Sequence, residues 1–583
     1  MNYSQLGFSS QPNLLSSITQ RYLNRVDVLL LVCVAALAIG VGTAVRHMLG
    51  PLVPVAATPV HLEFRYLPGY ALRTTLRMFA ALALSLVFTF GYATLAARSR
   101  RARQLLLPLL DVLQSVPILG FLTFTVTFFL GLFPGRVLGG ELAAIFTIFT
   151  SQAWNMTLGM YQSLRSVPAD LEETARCFGL TSWQKFWRLE VPCAVPSLVW
   201  NAMISMAGGW FMVVYSESIT VGNTDVVLPG VGSYVGVAIE QQNIAAVGAA
   251  IVAMMVVILI YDQVLFRPLA AWAARFRLGT GAGGVQASEP WFLRLVRRTR
   301  LLSALGGVLL LGLRKISYLP LGSRNGSVVA PAPASAGRGE WLWRIGIGAI
   351  FMVAFYQVWV YGRDTYTLGQ IEHVFTLGGF TLLRVISMLV LASLIWVPLG
   401  VWFGLNPARA RAAQLAAQYC AAFPANLFFP VFVVGIVHFH LTPDIWLTPL
   451  MILGAQWYIL FNVIAGTSSF PVELLEVCRD LNVKGWFWWR RVLLPGIMPY
   501  YLVGAIAASG GAWNAAIASE MAEWGSTTLT AHGLGAYIAQ ATQKGDMSEV
   551  GLGTATMCVL VMLLNTLFWR PFSDYAARRL KLN

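Results

Sequence analysis

Three runs in this chain, Val28 to Val45, Leu142 to Met160 and Val550 to Trp569, are apolar over lengths close to the ~20 residues that carry a helix across a hydrocarbon core. Inside lipid every backbone N–H and C=O must find a partner within the protein, so runs of this kind fold as helices. Charge points the same way. Only 11% of the 583 residues are charged, against about a quarter in a soluble domain, too few to coat a globule. The expected class is an all-α membrane protein embedded in a lipid bilayer.

The formal net charge of +15 would suggest nucleic acid in a soluble chain. Here the basic residues cluster between apolar runs, as the positive-inside rule requires, and no nucleic-acid partner is expected. Cys33, Cys177, Cys193, Cys420, Cys478 and Cys558 form no C-x-x-C pair, so neither a disulfide framework nor a metal site is indicated. Residues 1–26 are polar and carry no cleavable signal pattern, which leaves the first apolar segment as a retained helix.

The chain also repeats itself. Trp154, Pro168, Pro192, Trp210 and Glu217 recur as Trp457, Pro471, Pro495, Trp513 and Glu520, each 303 residues on. Gly230, Gly232 and Tyr234 recur in the same register as Gly533, Gly535 and Tyr537. Upstream the offset is 307, pairing Arg77 with Arg384 and Pro117 with Pro424. One offset kept across so many uncommon residues marks a tandem duplication.

Each half offers six apolar segments: 28–46, 76–97, 106–133, 142–160, 192–219 and 245–265, then 343–361, 378–404, 416–438, 445–466, 495–521 and 550–569. About twelve transmembrane helices in two six-helix repeats are therefore expected, with membrane domains at 1–278 and 343–583 and a cytoplasmic linker at 279–342. Arg98 to Arg103, Arg409 to Arg411, the group Arg294, Arg297, Arg298 and Arg300, and Arg578-Arg579-Leu580-Lys581 all fall on one side of this map. Both termini are then cytoplasmic. An even number of spans gives the two copies one orientation, so they pack as parallel repeats about an axis along the membrane normal. Ala330 to Gly339 has flexible-linker composition, and Leu301 to Leu313, too short to span, reads as an interfacial helix.

Between the fourth and fifth spans of each half lies a polar, helix-prone loop. It starts after Pro168 or Pro471, with acids in the first turn (Asp170, Glu172 and Glu173; Glu473 and Glu476), where a helix N-terminus favours negative charge. Gly179 and Asn482, residue types that tolerate the left-handed conformation, predict a sharp turn. An aromatic-rich helix then leads into Pro192 or Pro495. Read alone, this is a helical hairpin with its aromatics in the membrane interface.

The spacing Glu173-Thr174-Ala175…Gly179…Leu189-x-Val191-Pro192, and again Glu476-Val477-Cys478…Asn482…Val492-x-Leu494-Pro495, resembles the EAA loop of ABC-importer permeases. The second copy lacks the Ala-Ala and the Gly. The resemblance implies a type I importer-like fold and a coupling helix, seated in a groove of a nucleotide-binding subunit, in each half. It further implies two copies of a separate ABC ATPase, a periplasmic solute-binding protein, and a bacterial inner-membrane location with one permease chain per pore. Gly208-Gly209-Trp210 running to Ser216-Glu217, and Gly511-Ala512-Trp513 running to Ser519-Glu520, are similar to the nitrate, sulfonate, taurine and bicarbonate importer permeases, which implies a small anion as cargo.

No Gly-x-x-x-x-Gly-Lys-[Ser/Thr] phosphate loop occurs, so ATP and its Mg belong on the partner. No cofactor, metal ligand or catalytic residue is expected here, and the chain is not expected to be an enzyme. The alternative is a secondary transporter, which would couple to ions through carboxylates inside its spans. Those are sparse: Asp111, Asp262 near a span end, and the Glu217/Glu520 pair. Polar or aromatic residues within spans nominate a pathway: Gln152, Trp154, Asn155, Gln456, Trp457 and Asn462, with Trp210 and Trp513. The same polar groups can serve helix–helix hydrogen bonds instead. Arg77, Glu217, Arg384 and Glu520 fall at matching heights near the outer boundary and are candidates for outer-gate ion pairs or a vestibule at the mouth. The alternative is that the arginines snorkel to headgroups and the glutamates face water.

Overall fold

A computed structural model describes residues 60–221, 224–276 and 338–579, with isolated positions at Gly42 and between Trp291 and Leu321. The expected first span 28–46, most of the linker with Leu301 to Leu313, and Arg297, Arg298, Arg300, Leu580 and Lys581 lie outside the described residues. The described residues fall into two compact units: those within 60–165, 200–261 and 338–579 form one, and those within 166–199 and 262–321 the other.

The first repeat runs through α1 (Leu67–Arg98), α2 (Arg100–Ser115), α3 (Ile118–Leu132), α4 (Val137–Arg165), α5 (Ala169–Cys177) and α6 (Ser182–Ser216). A hairpin of β1 (Ser218–Val221) and β2 (Thr224–Val227) follows, then α7 (Val231–Glu240) and α8 (Ile244–Phe276). After α9 (Arg338–Thr365) the second repeat has α10 (Leu368–Gly404), α11 (Pro407–Ala422), α12 (Ala425–His438), α13 (Pro443–Leu453), α14 (Gln456–Ser468), α15 (Val472–Asp480) and α16 (Gly485–Ser519). It closes with β3 (Met521–Trp524), β4 (Thr527–Thr530), α17 (Leu534–Lys544) and α18 (Met547–Ala576). Both hairpins are antiparallel, pairing Ser218 with Val227 and Met521 with Thr530. Neither was expected: the fifth spans, 192–219 and 495–521, reach only the first residues of β1 and β3.

Six of the described helices are long and apolar enough to cross a membrane, and nine spans result when each bent pair counts as one, against the twelve expected. One of the three, 28–46, lies outside the described residues. Segments 142–160 and 343–361 are helical, inside α4 and α9, but are not among the nine. The expected third spans are broken, α2 meeting α3 at 102° and α11 meeting α12 at 77°. Pro117 and Pro424 explain both bends. A proline pushes its predecessor out of the helical region, and Val116 (ψ 123°) and Phe423 (ψ 132°) are extended. The fourth span is one helix in the first repeat and a 44° pair, α13 and α14, in the second.

The two loops of the repeat match in their first helix and the turn after it, and part at the next, where Gly485 is left-handed and its equivalent Ser182 is not. α5 follows Pro168 and α15 follows Pro471, and the turns after them sit at φ 62° for Gly179 and φ 51° for Asn482. Asparagine therefore keeps the turn that glycine makes. A π-turn, Phe186–Glu190 or Trp489–Leu493, precedes Pro192 and Pro495, where proline withdraws an N–H from the ladder. The surroundings differ. Beside the first loop Trp183 donates its N–H to the Leu321 carbonyl (3.3 Å), Gln184 Nε2 donates to the Tyr318 carbonyl (3.0 Å) and the Arg188 guanidinium lies 4.5 Å from the Tyr318 ring centre. In the second loop Trp486 and Phe487 are 73% and 61% exposed.

In the larger unit α1 packs along α4, and α10 and α16 along α14. Ala410 and Ala417 let α11 approach Leu460 and Ile464 of α14 closely, with Trp396 and Trp457 beside them. The repeats are also tied to each other: Ile118 N–H donates to Asn514 Oδ1 (2.7 Å), Thr554 Oγ1 to the Gly120 carbonyl (2.9 Å), and Gly525 N–H to the Ile239 carbonyl (3.0 Å).

Candidate functional site

Arg77 on α1 is 3% exposed, a position that a guanidinium holds only when its donors are satisfied. Nε and Nη2 donate to the two oxygens of Glu141 on α4, both at 2.6 Å, a bidentate fork. Nη1 donates to Glu217 Oε1 (2.7 Å) and to the Pro229 carbonyl (3.1 Å). Glu217 ends α6 and accepts the Gly232 N–H (2.7 Å) from the first turn of α7, where backbone donors lack helical partners. Thr74, one turn before Arg77, accepts the Val231 N–H (3.0 Å). Two carboxylates and one guanidinium thus lock α1, α4, α6 and α7 of the first repeat.

The second repeat rebuilds this cluster at the duplication offsets. Arg384 Nη1 donates to Glu520 Oε1 (3.1 Å) and to the His532 carbonyl (3.0 Å), and Nη2 donates to Asp444 Oδ1 (2.9 Å). Glu520 accepts from Thr381 Oγ1 (2.8 Å) and from the Gly535 and Ala536 N–H groups (2.7 and 3.2 Å). Asp444 corresponds to Glu141, since 444 − 141 = 303. The shorter aspartate makes a single bond where glutamate makes two. It also accepts the His532 N–H (2.7 Å), and its side chain is 45% exposed against 6% for Glu141. The first cluster is dry and the second is open to its surroundings.

The repeated Gly-x-Gly is explained by the carboxylate it wraps. A Cβ on Gly230 or Gly533 would fall on the Glu217 or Glu520 carboxylate, and one on Gly232 or Gly535 would meet the carbonyl of Val214 or Ala516.

Between the repeats lies a cavity of about 330 Å³, walled by Leu122, Tyr215 and Ile239 from the first and by Phe429, Ala518 and Thr542 at the equivalent positions of the second. The residues nominated for the pathway sit elsewhere. Gln152 is buried, accepting from Ser85 Oγ (3.4 Å) and donating to the Met206 and Met78 sulfurs (3.3 and 3.5 Å). Trp154 packs edge-on to Phe88 and Phe149. Gln456 accepts from Trp396 Nε1 (2.9 Å), Trp457 packs on Trp396, and Asn462 donates back to the Tyr458 carbonyl (2.8 Å). Asn155 is half-buried on α4, and Trp210 and Trp513 are fully enclosed. None of these eight lines the cavity.

On the loops, Glu173, Thr174 and Gly179 are exposed with Ala175 turned inward, and Glu476, Val477 and Asn482 are exposed with Cys478 turned inward. Each helix therefore presents an acidic outer face on a small buried residue.

A family profile described as the binding-protein-dependent transport system inner membrane component matches residues 88–266 and 396–581, once in each repeat. The chain belongs to this family. It is thus a multi-pass ABC-importer permease, and its two matches are the two halves of the duplication. Among similar proteins, the nitrate import permease protein NrtB of Leptolyngbya laminosa is 27% identical over 187 residues, 32% of this chain and 63% of that one. The bicarbonate transport system permease protein CmpB of Synechocystis is 24% identical over 182 residues, 31% of this chain and 62% of that one. The glycine betaine/proline betaine transport system permease protein ProW of Escherichia coli (strain K12) is 28% identical over 190 residues, 32% of this chain and 50% of that one. The chain thus spans one half to two thirds of the length of these relatives.

Proposed function

We propose that this permease forms one pore from its two repeats, set in a bacterial inner membrane with both termini in the cytoplasm. A solute-binding protein delivers cargo on the outer side, and two copies of a separate ATPase engage the α5 and α15 loops. The carrying observation is the pair of loops at offset 303, each with a helix after a proline and an exposed glutamate, Glu173 or Glu476, ahead of a left-handed turn. ATP and Mg are bound by the ATPase, and this chain contributes movement rather than chemistry.

The clusters around Arg77 and Arg384 fit a particular part in alternating access. All partners of each arginine come from its own repeat, so repeats that tilt as bodies keep both clusters intact. They act as staples holding the outer ends of four helices in register, while opening occurs along the cavity between repeats. An ion-coupled secondary mechanism would use carboxylates buried within the spans, and it is disfavoured because Glu141, Glu217 and Glu520 are committed to arginines, while the acids that do line the cavity, Glu240 and Glu523, are exposed. The relatives' names divide the cargo by charge, nitrate and bicarbonate against betaine, so the small anion implied by the resemblance has a zwitterion as its rival.

Replacing Glu173 and Glu476 with Lys tests the coupling. Insertion and yield should be unchanged while ATP-driven uptake collapses. Unchanged uptake in the double variant, or a purified complex with two permease chains around one pathway, overturns the reading.

A further inference from the structure

The cavity between the repeats carries a charge that neither the coupling loops nor the arginine clusters use. Two of its lining residues are carboxylates, Glu240 at the end of α7 and Glu523 in β3, and none is basic. Glu523 accepts a hydrogen bond from Gln543 Nε2 (2.8 Å), and neither acid has an ion-pair partner among the described residues. This sets them apart from the buried glutamates nearby, each tied to an arginine. Tyr215 and Phe429 supply aromatic rings to the same wall, and Glu523 is near enough to the Tyr215 phenol to act on it electrostatically. Asn426, also in the lining, spends its amide nitrogen on the Phe211 carbonyl (3.2 Å) and keeps a buried Oδ1 with no partner, another acceptor.

Both carboxylates are exposed in the cavity, so they set the sign of the potential that an entering solute meets. Carboxylates with aromatic faces are the chemistry that takes an ammonium group, quaternary ammonium included. An anion would meet two like charges and an orphan acceptor, with no counter-charge to enter against.

We propose that the solute crossing this cavity bears a positive ammonium centre, as a cation or a zwitterion, and that Glu240 and Glu523 select for it. This rests on the reading of the chain as an importer permease and replaces the small anion implied by the resemblance. The volume, about 330 Å³, lies at the lower end of small-ligand pockets and matches a compact solute.

Ser218 lines the cavity and is exposed, so Ser218→Cys reports its occupancy. The full chain with this substitution is labelled by a neutral thiol reagent in lipid nanodiscs, with the parent chain setting the background from its own cysteines. Tetramethylammonium should slow labelling at least five-fold at concentrations where nitrate, at equal ionic strength, leaves it unchanged. Glu240→Gln with Glu523→Gln should abolish that protection, and Glu240→Asp with Glu523→Asp should restore it. Protection by nitrate, or none by tetramethylammonium, overturns the inference, as does protection that survives the double glutamine variant. ATP-driven uptake of choline and glycine betaine against nitrate and bicarbonate, in the assembled complex, separates the two readings. Nitrate uptake without ammonium uptake removes the charge selection and leaves the importer standing. Protection in a chain that never couples to an ATPase removes the importer.

Discussion

Arg77 and Arg384 occupy equivalent positions, yet their replacement by methionine should differ in cost. Arg77→Met removes four hydrogen bonds, strands Glu141 (side chain 6% exposed) and leaves Glu217 (0% exposed) with the Gly232 N–H but no counter-charge. Glu141 keeps no other side-chain hydrogen bond among the described residues. Removing one partner of a buried ion pair costs about 3–5 kcal/mol, and two buried carboxylates left without their shared cation put this site at the upper end, about 5 kcal/mol. Arg384→Met removes three bonds, but Asp444 is 45% exposed and still held by His532, and Glu520 keeps Thr381, Gly535 and Ala536. About 3 kcal/mol is expected there, the lower end of the same range. The gap of about 2 kcal/mol is roughly 30-fold in the unfolding equilibrium. Titration with SDS in mixed micelles, followed by tryptophan fluorescence, reads this directly. The double variant Arg77→Met with Glu141→Leu should recover part of the loss, because a buried pair exchanged for apolar groups is close to neutral. Equal costs at the two arginines, or no recovery in the double variant, would refute the account of one dry and one open cluster.

Gly232→Ala should destabilise the fold by about 1–3 kcal/mol, since its Cβ meets the Val214 backbone, while Gly208→Ala, facing open space in a helix, should be neutral or slightly stabilising in the same titration. Gly179→Asn should be tolerated and Gly179→Val should cost about 1–2 kcal/mol, because the position is left-handed with room for a side chain, and thermal unfolding in detergent separates them. His532→Ala should change stability by less than about 1 kcal/mol, as Arg384 uses the backbone carbonyl of His532 and the ring pairs with Asp444 at an exposed position.

Much of this was legible in the residues before any coordinates. The constant offset located both loops, both left-handed turns and both Arg–Glu contacts. Glu141 and Asp444 were missed because the fourth spans were drawn at 142–160 and 445–466, so each acid fell one residue outside and read as part of a loop. The signal was the offset itself, which pairs them. The prolines at 117 and 424 were visible, but the angle a proline imposes depends on what packs against both arms, and single-chain pattern carries no such information. The cavity wall was invisible for a related reason. Its polar members, Thr123 apart, come from ends of helices and from hairpins, where hydropathy alone marks no pathway.

The two cavity carboxylates stand at positions that are not copies of each other. Glu240 is matched in the second repeat by Gln543, and Glu523 in the first by Thr220, at the common offset of 303. A permease assembled from two identical chains must write every change into its pore twice, so its charge moves in steps of two. Fusion of the halves into one gene removes that rule. Here one glutamate was set on each side independently, and a single substitution can retune the field by one unit without touching the opposite wall.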